Sequence, residues 1–230
     1  RQRQMCIRDR YYSWFPEDAE LATRIAEHLR THKEYLPTGE RLTDHRFQMA
    51  GHFLGGRWRE RGLHYFLETA FAEGNDHLSD QFLTAMGAEV TFQANPLYAL
   101  MHETIYADGP ADGVLPGIPG YELSPSPAPT NWSAARVAAS RPEFAPDADR
   151  LLFTGEHIFP WYYEEDPSLR PLAEVANLLA EKKDWGRLYD HAQLHKNEVP
   201  VVAAAYNPDV YVDFEHSMET ARWVGNTQVW

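Results

Sequence analysis

Val199-Pro-Val-Val-Ala-Ala-Ala-Tyr-Asn-Pro-Asp-Val-Tyr-Val-Asp213 decides how the rest of this 230-residue chain is read. Val201 to Tyr206 form an uninterrupted apolar run, the pattern of a strand buried on both faces of a parallel sheet. Asn207-Pro208 stop that strand, because proline cannot donate to a ladder and Asn-Pro favours a turn. Two carboxylates, Asp209 and Asp213, follow at once. Open α/β sheets place their chemistry just beyond the carboxyl ends of their strands, so strand, turn and acid in that order make a candidate catalytic corner. On these residues alone, Asp209 serves equally well as a cap of the turn or of the next helix.

Working outward, Phe214 to Val224 reads as a helix with Met218, Ala221 and Trp223 apolar, and Thr227 to Trp230 begins a second strand. Upstream, Leu172, Val175, Ala176 and Leu179 mark a helix leading to the first strand. Before it lies a mixed aromatic and acidic stretch, Leu151 to Tyr163. Residues 131–140 predict a short helix capped by Asn131 and ended by Pro142 and Pro146. Residues 107–130 are so rich in Gly and Pro that they must be an extended connection. The stretch 11–106 reads as almost all helix. Leu21, Ile25 and Leu29 give a stripe over 16–32, and helical patterns recur around 43–54, 60–72 and 78–86. Asn95-Pro96 supplies an N-cap and first-turn proline for a helix through Ile105. The reading is therefore an α/β chain in three parts. Residues 1–10 form a non-native leader resembling a translated adapter. Residues 11–150 form a helical cap, and residues 151–230 hold the end of that cap and a strand–helix–strand unit. One and a half strands cannot make a parallel sheet alone, so the missing strands are expected from another chain or from a longer parent.

Composition narrows the function classes. No apolar run approaches the roughly 20 residues that a membrane span needs. A net charge of −13 argues against nucleic acid or an anionic membrane as partner and suits cationic ligands. The single cysteine, Cys6, lies in the leader, which removes disulfides and thiol chemistry from the remainder and suits a cytoplasmic location. His28/His32 and His191/His195 have the i,i+4 spacing that can chelate a metal. Neither pair has a third ligand in sequence, so these histidines are expected to face solvent, and no metal or cofactor is expected.

Several stretches together carry a resemblance: Arg46-Phe47-Gln48, Asn131-Trp132, Leu152-Phe153-Thr154-Gly155-Glu156-His157-Ile158-Phe159-Pro160-Trp161, and Tyr211-Val212-Asp213 followed by Glu219-Thr220-Ala221. In their order and spacing the chain resembles the longer bacterial prolyl aminopeptidases, serine peptidases of the α/β-hydrolase fold. The resemblance implies a helical cap followed by the last strand–helix–strand of the hydrolase sheet. It also implies peptide substrates with an N-terminal proline, cleaved by Ser-Asp-His acyl transfer. The family's nucleophile elbow, Gly-x-Ser-x-Gly, does not occur between Tyr11 and Trp230, and its histidine would fall beyond Trp230. The expectation is a C-terminal fragment that is inactive by itself. The resemblance makes Asp209 the triad acid, with Asp213 as rival. It makes Glu156, and more loosely Glu103, the carboxylates that receive the charged amine of a terminal proline. Such a cation cannot be buried without a partner. Phe159 would wall the pyrrolidine pocket. Two alternatives stay open: a capped hydrolase acting on other esters or amides, and a non-catalytic module whose sheet edge recruits a partner. The oligomeric state is not legible.

Overall fold

A computed structural model describes residues 9–55, 59–72, 76–107, 109, 129–145, 148, 150–207, 209 and 211–230. Helix α1 (Glu17–Thr31) carries its acids in the first turn, where they meet the positive end of the helix dipole, and buries Ala22, Ile25, Ala26 and Leu29. A tight antiparallel hairpin, β1 (Glu34–Tyr35) and β2 (Arg41–Leu42), follows it and pairs Glu34 with Leu42. The sequence reading missed this hairpin, because two-residue strands are too short to display a period of two. Its turn holds Leu36 to Gly39, with Gly39 at φ +93°. Helix α2 (Asp44–Phe47) is capped by Thr43, whose side chain accepts from the Arg46 amide, and passes into a 3-10 segment, Gln48–Gly55. What read as one helix over 43–54 is thus a short α-helix followed by a tighter 3-10 segment.

Helices α3 (Arg59–Glu68) and α4 (Asp80–Val90) complete the helical block, with Ser79 capping α4 through the Phe82 amide. Phe47, Leu63, Phe66, Leu67, Phe82 and Met86 form one core with α1 and with Leu151, Phe153 and Ile158 from later in the chain. At its centre Arg46 is 1% exposed, 3.6 Å from Glu40 and 3.8 Å from Asp166. Asp166 also accepts from the Phe92 amide at 2.9 Å, so one buried ion pair ties three segments together. Helix α5 (Pro96–Leu100) starts with proline as expected, but Asn95 makes no side-chain cap bond, and the helix gives way to a 3-10 turn, Glu103–Tyr106.

Helix α6 (Ser133–Ala139) is not capped by Asn131. Asn131 and Trp132 both adopt left-handed backbone, at φ 45° and 55°, and place the helix start two residues later. After α7 (Tyr162–Glu165), α8 (Ala173–Glu181) and the unexpected α9 (His191–His195), strand β3 (Val201–Ala203) is joined by α10 (Phe214–Trp223) to β4 (Thr227–Val229). The two strands are parallel, with Val201 opposite Thr227 and Ala203 opposite Val229. That unit matches the strand–helix–strand expectation. The burial expectation fails: β3 is three residues long and Val202 is 75% exposed, because among the described residues only β4 adjoins it and nothing covers that face. The histidine expectation fails in part as well. His28 and His191 are buried, His28 stacked on His32 and His191 packed at a tilt against Trp223.

Residues 9–14 are helical, and Asp9 lies 3.3 Å from Arg150. Cys6 and most of the Gly/Pro-rich connection lie outside the described residues. No described helix is long and apolar enough to cross a membrane.

Candidate active site

Five segments of the chain line a cleft of about 230 Å³. The 3-10 segment supplies Met49 and His52, the end of α4 supplies Glu89, and α5 supplies Tyr98. Residues 155–158 and Tyr211 close it. Two carboxylates face this space and differ in what they hold. Glu89 is occupied, with Oε2 2.6 Å from His52 Nε2 and 3.8 Å from Arg59. Glu156 is exposed, and among the described residues its hydrogen-bond partner is Tyr98, whose hydroxyl donates to Oε2 at 3.1 Å. Burial and then the Glu156 charge hold the Tyr98 phenol well above its ordinary range, so it stays a donor. A carboxylate with one neutral donor keeps most of its capacity for a cation.

Behind Glu156 lies a second group of polar side chains. Glu103 is 2% exposed, and among the described residues neither of its carboxylate oxygens has a hydrogen-bond partner. Such a group is costly to bury unless a cation or proton joins it. The Tyr106 hydroxyl lies 2.9 Å from His102 Nε2 and 3.4 Å from His157 Nδ1. Burial, then Glu103 and Glu156, push that phenol up to about 12. Tyr106 therefore feels both carboxylates, although Glu103 is not among the residues lining the cleft. Burial, helped by His157, pulls the His102 imidazole down to about 4 and keeps it neutral.

The turn after β3 reaches the same cleft through Tyr211. Asp209 Oδ1 accepts from the amides of Tyr211 at 2.8 Å and Val212 at 3.2 Å. That turn aims the Tyr211 ring into the cleft, where its hydroxyl donates to the His52 carbonyl at 2.7 Å. Gly55 permits this approach, since a Cβ there would sit 1.9 Å from the Tyr211 ring. Burial raises the Tyr211 phenol; Arg59 opposes this, while Glu156, Asp209 and Glu89 add to it. Glu156 and Tyr211 line the same cleft, whereas Asp209, which shapes the turn, is not among the lining residues. Asp213 has a different task. Its Oδ1 accepts from the Glu215 and His216 amides at 2.8 and 3.2 Å and caps α10.

Phe159 is buried and does not line this cleft. It walls a neighbouring, more apolar cavity of about 310 Å³, together with Tyr106, Val137, Phe144 and Leu152. Gly155 and His157 border both spaces. Sequence reading missed Glu89, His52, Tyr98 and Tyr211 as cleft residues. Tyr211 alone left a signal, its position two residues past Asp209; the others meet only through the tertiary fold.

Two curated proteins match almost all of this chain. A proline iminopeptidase of Aeromonas sobria is 39% identical over 221 residues, covering 96% of the chain and 47% of the relative. A proline iminopeptidase of Aspergillus aculeatus is 34% identical over 224 residues, with 95% and 45% covered. The chain is a relative of the proline iminopeptidases. It spans about half the length of the curated relatives it matches. No protein-family model matches it. Kinship with proline iminopeptidases fits a partial α/β hydrolase, with which the parallel β3–α10–β4 unit and the dominant helical block are compatible.

Proposed function

We propose that this chain forms the helical cap and the acid-bearing end of the sheet of a serine aminopeptidase that releases N-terminal proline from peptides. The observation that carries the reading is the Glu156 carboxylate. It faces a cleft rimmed by aromatic rings, lightly bonded, and Tyr211 of the Asp209 turn lines the same cleft. In this reading Glu156 receives the charged secondary amine, as a charge-assisted hydrogen bond inside a partly apolar space. Glu103, buried and without a hydrogen-bond partner among the described residues, would be a second carboxylate near it. Phe159 shapes the adjoining apolar cavity against which a pyrrolidine ring or the next residue rests.

Asp209 is the triad acid. It would orient a histidine and stabilise the imidazolium formed when a serine attacks the carbonyl of the terminal proline; the histidine then gives that proton to the departing amine of the next residue. The serine ester then hydrolyses, so the bond broken is the peptide bond that follows the terminal proline. The sequence 11–230 supplies neither the Gly-x-Ser-x-Gly elbow nor a matching histidine, so in this reading turnover needs a longer protein and the present chain supplies amine recognition.

The test is binding of prolinamide to this chain, followed by amide NMR shifts or calorimetry. The expected result is saturable binding that Glu156→Gln weakens about tenfold or more, as for a hydrogen bond to a charged group. Unchanged binding in Glu156→Gln, with its fold intact by circular dichroism, overturns the assignment. So does hydrolysis of a proline arylamide by the 230-residue chain alone.

A further inference from the structure

The end of α1, the hairpin and the loop before α4 bring three donors together on a face of the molecule that shares no residue with the cleft. His28 Nε2 lies 2.6 Å from Glu34 Oε1, and His77 Nδ1 lies 3.7 Å from the same oxygen. All three ligand atoms fall within 4.8 Å of one another. Two imidazoles and a carboxylate are a zinc-class donor set that leaves a fourth position open. Bonds of about 2.1 Å at tetrahedral angles put ligand atoms roughly 3.4 Å apart, and the two observed separations bracket that value.

The surroundings hold the donors in place. The Leu78 amide donates to Glu34 Oε1 at 3.2 Å and fixes the carboxylate. His32 stacks face to face on His28 with ring centres 4.3 Å apart, and Phe71 meets His28 edge-on at 5.7 Å. Second contacts of this kind orient metal ligands and sharpen affinity. His28 is buried and Glu34 nearly so, while the His77 side chain is 74% exposed, free to swing onto an incoming ion. A neighbouring cavity of about 560 Å³, lined by His28, His32, Glu27 and Asp76, offers an entry path. Arg24 and Arg30 also border it, but Arg24 lies over the Phe71 ring at 4.0 Å and Arg30 holds Asp44 at 2.7 Å, so both cations are engaged elsewhere.

We propose that His28, Glu34 and His77 form a binding site for a zinc-class divalent cation, with His32 positioning the His28 ring. On binding, the direct His28–Glu34 contact opens and both donors turn to the ion; His28 coordinates through Nε2 with its proton on Nδ1. The site clamps the end of α1 to the hairpin and to the start of α4. The second grouping of this kind, Glu17, Asp18 and His64, does not compete well, because the buried Asp18 carboxylate already accepts from the Tyr11 hydroxyl and His64.

The experiment titrates this chain with Zn2+ against a chromophoric chelator, and with Co2+ followed by visible absorption. One equivalent is expected to bind, with a Co2+ band typical of low coordination number. His77→Ala removes an exposed ring, so the fold is retained. That variant is expected to lose at least about tenfold in affinity, since even an outer-shell partner costs that much. Glu34→Gln should weaken binding comparably, and His32→Ala less. Zn2+ should also raise the melting temperature of the parent chain more than that of His77→Ala. Binding well below one equivalent, or equal affinity in the parent and His77→Ala, overturns the proposal. Prolinamide binding is unaffected by either outcome, so this test and that of the amine site fail separately.

Discussion

Asp209 and Asp213 stand four residues apart, and each accepts two backbone amides through Oδ1, yet they do different things. Asp213 satisfies the orphan donors at the start of α10, which is helix capping. Asp209 satisfies no helix; its bonds shape the turn that delivers Tyr211 beside Glu156. The prediction follows from that contrast. In an enzyme with the complete triad, Asp209→Asn should lower kcat for a proline arylamide by about 10⁴, the scale expected when the triad acid is neutralised. Asp213→Ala should leave kcat within a few-fold and cost about 1 kcal/mol of stability. Parallel kinetics and thermal melts check both, and a reversed pattern would make Asp213 the acid. At this scale the sequence was partly legible. The strand–turn–acid order made Asp209 a candidate, and the family resemblance, not any local pattern, made Glu156 one. Glu89 and His52 carried no local signal, because they become neighbours only when α4 packs on the 3-10 segment.

Among the elements, the short ones escape a reading based on periodicity. The α1 stripe and the α4 run were visible because ten or more residues repeat one pattern. The hairpin, α2 and α9 are five residues or fewer per segment and are set by contacts with other elements. Helix α2 illustrates this. His45 Nε2 lies 2.6 Å from Glu165 Oε1 on α7, and the Thr43 hydroxyl donates to Glu165 Oε2 at 3.0 Å. Burial lowers the His45 imidazole's affinity for its proton, but Asp44 and Glu165 outweigh it and push the group up to about 9. A base held above its unfolded value near 6.5 adds stability that is complete below that value and lost as pH rises through about 9. Between pH 6 and pH 9.5 the parent chain should therefore lose more stability than His45→Gln. The side chain is 39% exposed, so solvent screening limits the difference to about 1 kcal/mol or less. Denaturant melts of both proteins at the two pH values measure it, and equal slopes would mean the α2–α7 contact is structural without being ionic.

At the level of the whole molecule, the helical block closes around its own core while the sheet does not. Val199, Val202, Tyr206 and Trp230 are 69%, 75%, 67% and 88% exposed, clustered in sequence on or beside the two strands. The apolar run 201–206 implies burial on both faces, but among the described residues it has a single neighbouring strand and that burial is unmet. This is also why the reading of 201–206 failed locally while its topological consequence, a parallel strand–helix–strand, held. Physics assigns such a surface a partner: more of the same sheet, or, in isolation, another copy. The 230-residue chain alone should self-associate as concentration rises, and Val202→Lys should weaken that association about tenfold, the equivalent of one valine kept out of water at ~1.5 kcal/mol. Sedimentation velocity over a hundredfold range of concentration decides it. A monomer throughout, unaffected by Val202→Lys, would mean the strands tolerate water as they are, and the case for further strands packing on β3 would then rest on kinship alone.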